Sequence, residues 1–149
     1  MLQSQPLASY VHCTAHCSNL IASAVCLSSQ VVYKSIQLVN EFGVLCNASG
    51  KFKSIFVHIA SDSDEGPVKN IKPLCPTRWL VRLSSLQSAI RQYKTILQSL
   101  AETSGYSNEV RMRAAGLSNK FQHGNTLMCL VMATKVIEPL ECLNRALQT

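Results

Sequence analysis

One stretch constrains this chain more than any other. Leu83, Leu86, Ile90, Tyr93, Leu97 and Leu100 follow one another at spacings of 3, 4, 3, 4 and 3, which places apolar side chains along one stripe of an α-helix in the manner of a coiled-coil seam. Thr77, directly after Pro76, is a fitting N-cap, and Ser104-Gly105 supplies a stop. The spacing predicts one helix from Thr77 to about Glu102, roughly 39 Å long at 1.5 Å per residue. A helix with a single apolar stripe has to bury it against something, so the chain is built of packed helices or offers the stripe to a partner.

The rest of the sequence supplies further helices. From about His16, Leu20, Ala24, Leu27 and Val31 repeat at helical spacing, with Ile21 and Val25 broadening the stripe. A second helix is expected from about Val31 to Cys46, with Leu38, Phe42 and Leu45 on one face and Val32, Ile36 and Val39 beside it. The run Asn47-Ala-Ser-Gly50 ends it. A shorter helix from about Lys51 to Ala60 carries Phe52, Ile55, Phe56 and Ile59 on its inner side. Residues 61–76 break the pattern with three prolines, a glycine and clustered charges, and read as a linker. Asn108 to Phe121 is a further helix, with Val110, Ala114, Leu117 and Phe121 on one face. Thr126 to Leu147 is the last, bent or capped near Glu138-Pro139. A weak alternation over Ser9 to Ala15 suggests one short strand. The expected fold is therefore mainly α, a multi-helix domain with one short N-terminal strand.

Composition narrows the class. With 149 residues, 47% hydrophobic and 15% charged, the chain is long and apolar enough to bury a core. Its longest unbroken apolar run, Leu127 to Ala133, is far short of the ~20 residues of a membrane helix, and no membrane partner is expected. Met1 to Tyr10 has neither the basic start nor the apolar stretch of a signal peptide. The seven cysteines are odd in number and irregularly spaced, which argues for a reducing compartment over a disulfide framework.

Charge is unevenly distributed. Between Pro67 and Lys120 stand nine Lys or Arg and two acids, a local +7, whereas the remainder sums to −1. A basic middle of this kind attracts polyanions. Within it, Arg78, Trp79 and Arg82 open the long helix, and Arg91 and Lys94 lie further along, so a basic stripe opposite the leucine seam is expected to contact DNA backbone. Arginine beside an exposed indole suits phosphate contact with base stacking, although a lone Trp is more often a core residue.

Two other clusters carry less. His12-Cys13-x-x-His16-Cys17 packs four potential ligands into six residues. Cys13, His16 and Cys17 share a helical face, but no second ligand pair follows to close a tetrahedral zinc site, so no metal is expected there. Asp62-x-Asp64-Glu65-Gly66 resembles the opening of a calcium loop, but the twelfth position, which needs a bidentate Glu, is Pro73. No phosphate-cradling glycine pattern occurs.

The run from Tyr10 through Cys13, His16, Asn19 and Leu20, followed by Pro76-Thr77-Arg78-Trp79 and Arg82, resembles transposases of the hAT superfamily. It is similar in particular to the domesticated branch called zinc finger MYM-type protein 1-like, as is the ending from Ala115-Gly-Leu117 through Pro139, Leu143 and Gln148. The resemblance implies a ribonuclease-H-like core with three metal-binding carboxylates and a large helical insertion, with CxxH, here Cys13 and His16, just after the second carboxylate. Residues 1–30 would then be a remnant of that core and residues 31–149 the helical insertion domain, linked at about 61–76. The catalytic carboxylates would fall outside Met1–Thr149. Ser18 departs from the family, where an apolar residue usually precedes Asn-Leu.

The expectation is thus a truncated, non-catalytic transposase-like fragment, nuclear, without cofactor, binding DNA weakly and with little sequence preference through Arg78, Trp79, Arg82, Arg91 and Lys94. The rival expectation is a protein interaction module that offers the leucine seam of residues 77–102 to a protein partner or a second copy.

Overall fold

A computed structural model describes residues 13–63, 68–102 and 105–146. Seven α-helices account for most of them: α1 (Thr14–Ser28), α2 (Gln30–Ala48), α3 (Gly50–Ser61), α4 (Leu83–Arg91), α5 (Tyr93–Ala101), α6 (Asn108–Phe121) and α7 (Gly124–Ala146). A single 3-10 turn, Leu80–Arg82, leads into α4. The described residues contain no strand. Residues 9–12 of the expected strand lie outside them, and Thr14 and Ala15 are already helical.

Hydroxyl caps explain several boundaries. Ser29 and Ser49 each sit in extended backbone between two helices, and each accepts a hydrogen bond from an amide in the first turn of the next helix, Val32 and Phe52 respectively. The chain turns by 110° between α1 and α2. Ser107 caps α6 in the same way through Val110 N–H. Gly105, at φ 74°, takes the left-handed conformation in the approach to α6, where a side chain would be strained.

The core is centred on α2. Ile36, Val39, Phe42 and Leu45 are fully buried, and the Phe42 ring is met edge-on by Phe52, Phe56 and Phe121 at centroid distances of 5.6, 5.3 and 6.3 Å. Tyr93 stacks edge-to-face on Phe121 and donates its hydroxyl to the Phe121 carbonyl at 2.6 Å, tying α5 to the end of α6. Ala22 and Cys26 of α1 belong to the same core.

Three sequence expectations are corrected. The helix expected over residues 77–102 begins instead at the 3-10 turn and is interrupted at Gln92 (φ −98°, ψ 27°), whose side chain is drawn away to residue 69. Its leucine seam is not a docking surface: Leu83, Leu86 and Leu100 are buried, and Ile90, Tyr93 and Leu97 pack against the same core, on α3, α6 and α7. The stripe of α1 is turned the other way. Leu20, Ile21, Val25 and Leu27 stand 43–55% exposed, while Ser18, Ala22 and Cys26, four residues apart, face inward. Small residues at that spacing let the α1 backbone come close to its neighbours, which bulky leucines would prevent. The last helix, α7, continues through Pro139 and is not capped there.

Candidate nucleic-acid interface

Between α3 and α4 the chain crosses the molecule as an irregular strap, residues 68–79. Backbone without helical partners needs its polar groups satisfied from elsewhere, and side chains from four other parts of the fold do this for the strap and the turn that follows it. Asn40 of α2 accepts from Leu74 N–H at 2.8 Å. Gln92 grips residue 69 from both sides, accepting from Lys69 N–H at 3.4 Å and donating to its carbonyl at 2.9 Å. Asn19 of α1 accepts from Leu80 N–H at 3.1 Å. Arg82 donates through Nε to the Cys75 carbonyl at 2.9 Å and through Nη2 to the Pro76 carbonyl at 2.8 Å. Ile71 and Leu74 are buried beneath. The strap also passes so close to α2 that a Cβ on Gly43 would lie 2.8 Å from the Lys72 carbonyl carbon and the Pro73 nitrogen. Residues 61–76, read as a linker, thus end in a segment fastened to the core.

This fastening places Lys69 and Lys72 over the polar face of α4. Together with Arg91 they line a groove of about 380 Å³, whose other walls include Asn70, Ser84 and Ser85. The three cations reach into solvent, and the hydroxyl and amide groups between them are donors suited to phosphate oxygens. Glu138 of α7 comes to the rim, where it accepts from Gln87 Nε2 at 3.3 Å.

The five residues expected to contact DNA are divided by the structure. Arg91 lies in the groove, and Arg78 is exposed near the end of the strap. Lys94 is exposed but lines a separate hollow that also holds Asp62 and Glu102. Trp79 and Arg82 are turned inward, 6% and 4% exposed, with the guanidinium carbon 3.8 Å from the centroid of the indole. Neither can serve as a surface contact: the indole is covered, and two of the three guanidinium nitrogens are committed to backbone carbonyls. Lys69 and Lys72 count toward the local charge, but nothing in the sequence shows that the strap is pinned against α4. The remaining basic residues of the middle segment are partly engaged. Lys120 pairs with Glu41 at 3.6 Å, Arg113 with Glu109 at 4.0 Å, and Arg111 leans on the Tyr106 carbonyl.

At the N-terminal end, Cys13 caps α1 through its backbone, His16 is exposed and Cys17 is half-buried. Among the described residues no three His, Cys, Asp or Glu side chains are grouped to hold a metal ion. His12, Asp64 and Glu65 lie outside the described residues. The cysteines differ in character: burial pushes the Cys46 thiol up to about 12 and raises Cys26, whereas hydrogen bonds from the Thr77 and Arg78 amides and from the Thr77 hydroxyl lower Cys75. No single described helix is long and apolar enough to cross a membrane, although the bent pair α1–α2 passes on length and composition. No family model, curated protein or solved structure matches the chain.

Proposed function

We propose that the chain is a helical module of hAT-transposase-like origin that binds nucleic acid backbone in the nucleus, with little sequence preference. Residues 1–30 are read as the remnant of a ribonuclease-H-like core, and no catalytic role is proposed for any residue of this stretch. The observation that carries the reading is the groove in which Lys69, Lys72 and Arg91 converge beside serine hydroxyls, with Arg78 further along the same strap. A cation cluster of this kind exchanges condensed counterions for phosphates, so its affinity is set by salt.

Titration of duplex DNA at several salt concentrations tests it. Three phosphate contacts give a slope of log affinity against log salt of roughly −2.7. Replacing Lys69, Lys72 and Arg91 by Glu abolishes binding, whereas Lys94→Glu, in its own acidic hollow, leaves it nearly unchanged. Absence of binding at low salt, or binding indifferent to salt, overturns the proposal.

A second reading is favoured by a different observation. With the leucine seam consumed by the core, an interaction module would have to use the outward apolar side chains of α1, among them Leu20, Ile21 and Val25.

A further inference from the structure

Two neighbouring helices carry bulky apolar side chains on the outside. On α1, which packs against α7, Leu20, Ile21 and Val25 are exposed, and on α7 so are Met128, Met132 and Leu143. The two outer lines adjoin. The inward line of α1 is Ser18, Ala22 and Cys26. Ser23 and Leu27 flank it on the side of the strap, where they line a hollow with Trp79 and Arg82, so Ile21 and Val25, on the other flank, lie toward α7. On α7 the flank of Glu138 meets α4 through Gln87, so α1 occupies the opposite flank, the side of Met132 and Val136. One apolar surface therefore runs from Ile21 and Val25 across to Met132 and Met128, and among the described residues nothing covers it.

Apolar side chains scattered singly need no explanation, but a contiguous patch marks an interaction site. Charge decides what fits it. α1 has no Asp, Glu, Lys or Arg, and α7 has none before Lys135. A helix that lies in a membrane interface carries basic residues beside its apolar face, and a polyanion needs them too; α1 offers neither its cations. The chain as a whole is +6, so two copies repel each other except where they meet on a surface without charge. Shape points the same way. Two helices packed side by side, each with an outer apolar line, are half of a four-helix bundle, and a two-fold axis through the face supplies the identical other half.

We infer that two copies of this chain associate through α1 and α7 in a symmetric four-helix contact. Over the roughly 22 Å length of α1, two helices each about 10 Å across present about 450 Å². A standard interface takes about 800 Å² from each partner, so the dimer is weak and reversible, with a dissociation constant on the order of tens of micromolar. The dimer gives the second reading of the function a definite partner, and it does not depend on the DNA reading.

Sedimentation velocity of the full 149-residue chain tests it. The chain is mostly dimer at ~200 μM and mostly monomer at ~2 μM, as mass action requires. Ile21→Glu with Met132→Glu puts charge on the face and weakens the dimer by about tenfold or more, whereas Met112→Glu, at an exposed side chain of α6, leaves it unchanged. A mixture of the Ile21→Glu and Ile21→Lys chains restores association, which damaged folding would not do. Lys69→Glu with Lys72→Glu keeps the dimer even where DNA binding is lost. The inference is overturned by a monomer at ~200 μM, which leaves the face to a different protein, by association that Ile21→Glu with Met132→Glu does not weaken, or by binding to phosphatidylcholine vesicles in place of self-association.

Discussion

The first two helices are neighbours in sequence and similar in apolar content, yet they use it in opposite ways. In α2 the bulky residues Ile36, Val39, Phe42 and Leu45 point inward and make the centre of the core. In α1 the inward line is Ser18, Ala22 and Cys26, and the bulky Leu20, Ile21, Val25 and Leu27 face out. The difference teaches that apolar content does not decide which face of a helix is buried. In α2 stability comes from volume filled; in α1 it comes from the close approach that small side chains permit.

The largest test of this contrast removes a bulky residue from each helix. Phe42→Ala deletes a ring held by three other phenylalanines and is expected to cost about 3–5 kcal/mol in urea unfolding. Leu20→Ala, on the outer face of α1, is expected to stay within about 0.5 kcal/mol. Similar losses at the two positions would break the contrast.

That contrast also marks where the sequence is readable. The faces of α2 and α6 are legible because the residues their patterns place inward, Leu38, Phe42 and Leu45 in α2 and Ala114, Leu117 and Phe121 in α6, are buried, and α6 spans Asn108–Phe121 as its pattern predicts. The face of α1 is not, because a hydropathy stripe is assigned inward by default and the 18, 22, 26 line of small residues carries no hydropathy signal. The strap is illegible for another reason. Its anchors, Asn19, Asn40 and Gln92, are ordinary polar residues whose partners lie 23 to 61 positions away. Of the candidate site, Arg91 and the general basic region could be read, but the groove depends on Lys69 and Lys72 being carried there by those anchors. The same anchoring takes Trp79 and Arg82 out of reach.

A smaller effect is expected where side chains are added. Gly43→Ala forces a methyl against the strap backbone, which cannot rotate aside as a side chain would, and is expected to cost about 2–3 kcal/mol. It should weaken DNA binding as well, because Lys72 is displaced with the strap. In α1, Ala22→Leu pushes the helix off its close contacts and is expected to cost about 1–3 kcal/mol by thermal unfolding. If Ala22→Leu is neutral, close approach is not what seats α1.

The smallest effect is electrostatic and compares one cysteine from each helix. Burial raises both thiols, Cys46 of α2 to about 12 from an ordinary 9.0, and Cys26 of α1 upward with Arg82 opposing the rise. Below pH 9 both are protonated in the folded and unfolded chains, and neither makes stability depend on pH. Above it the unfolded chain releases protons that the folded chain retains, so the unfolded state binds fewer protons and stability falls with rising pH. The loss from Cys46 reaches about 1 kcal/mol near pH 9.5 and continues toward pH 12. Urea midpoints between pH 8 and 10 therefore decline in the native chain. Cys46→Ala flattens that decline, measured against its own stability at pH 8, more than Cys26→Ala does, because the rise at Cys46 is the larger of the two. A steeper flattening from Cys26→Ala would reverse the ranking of the two helices as core elements.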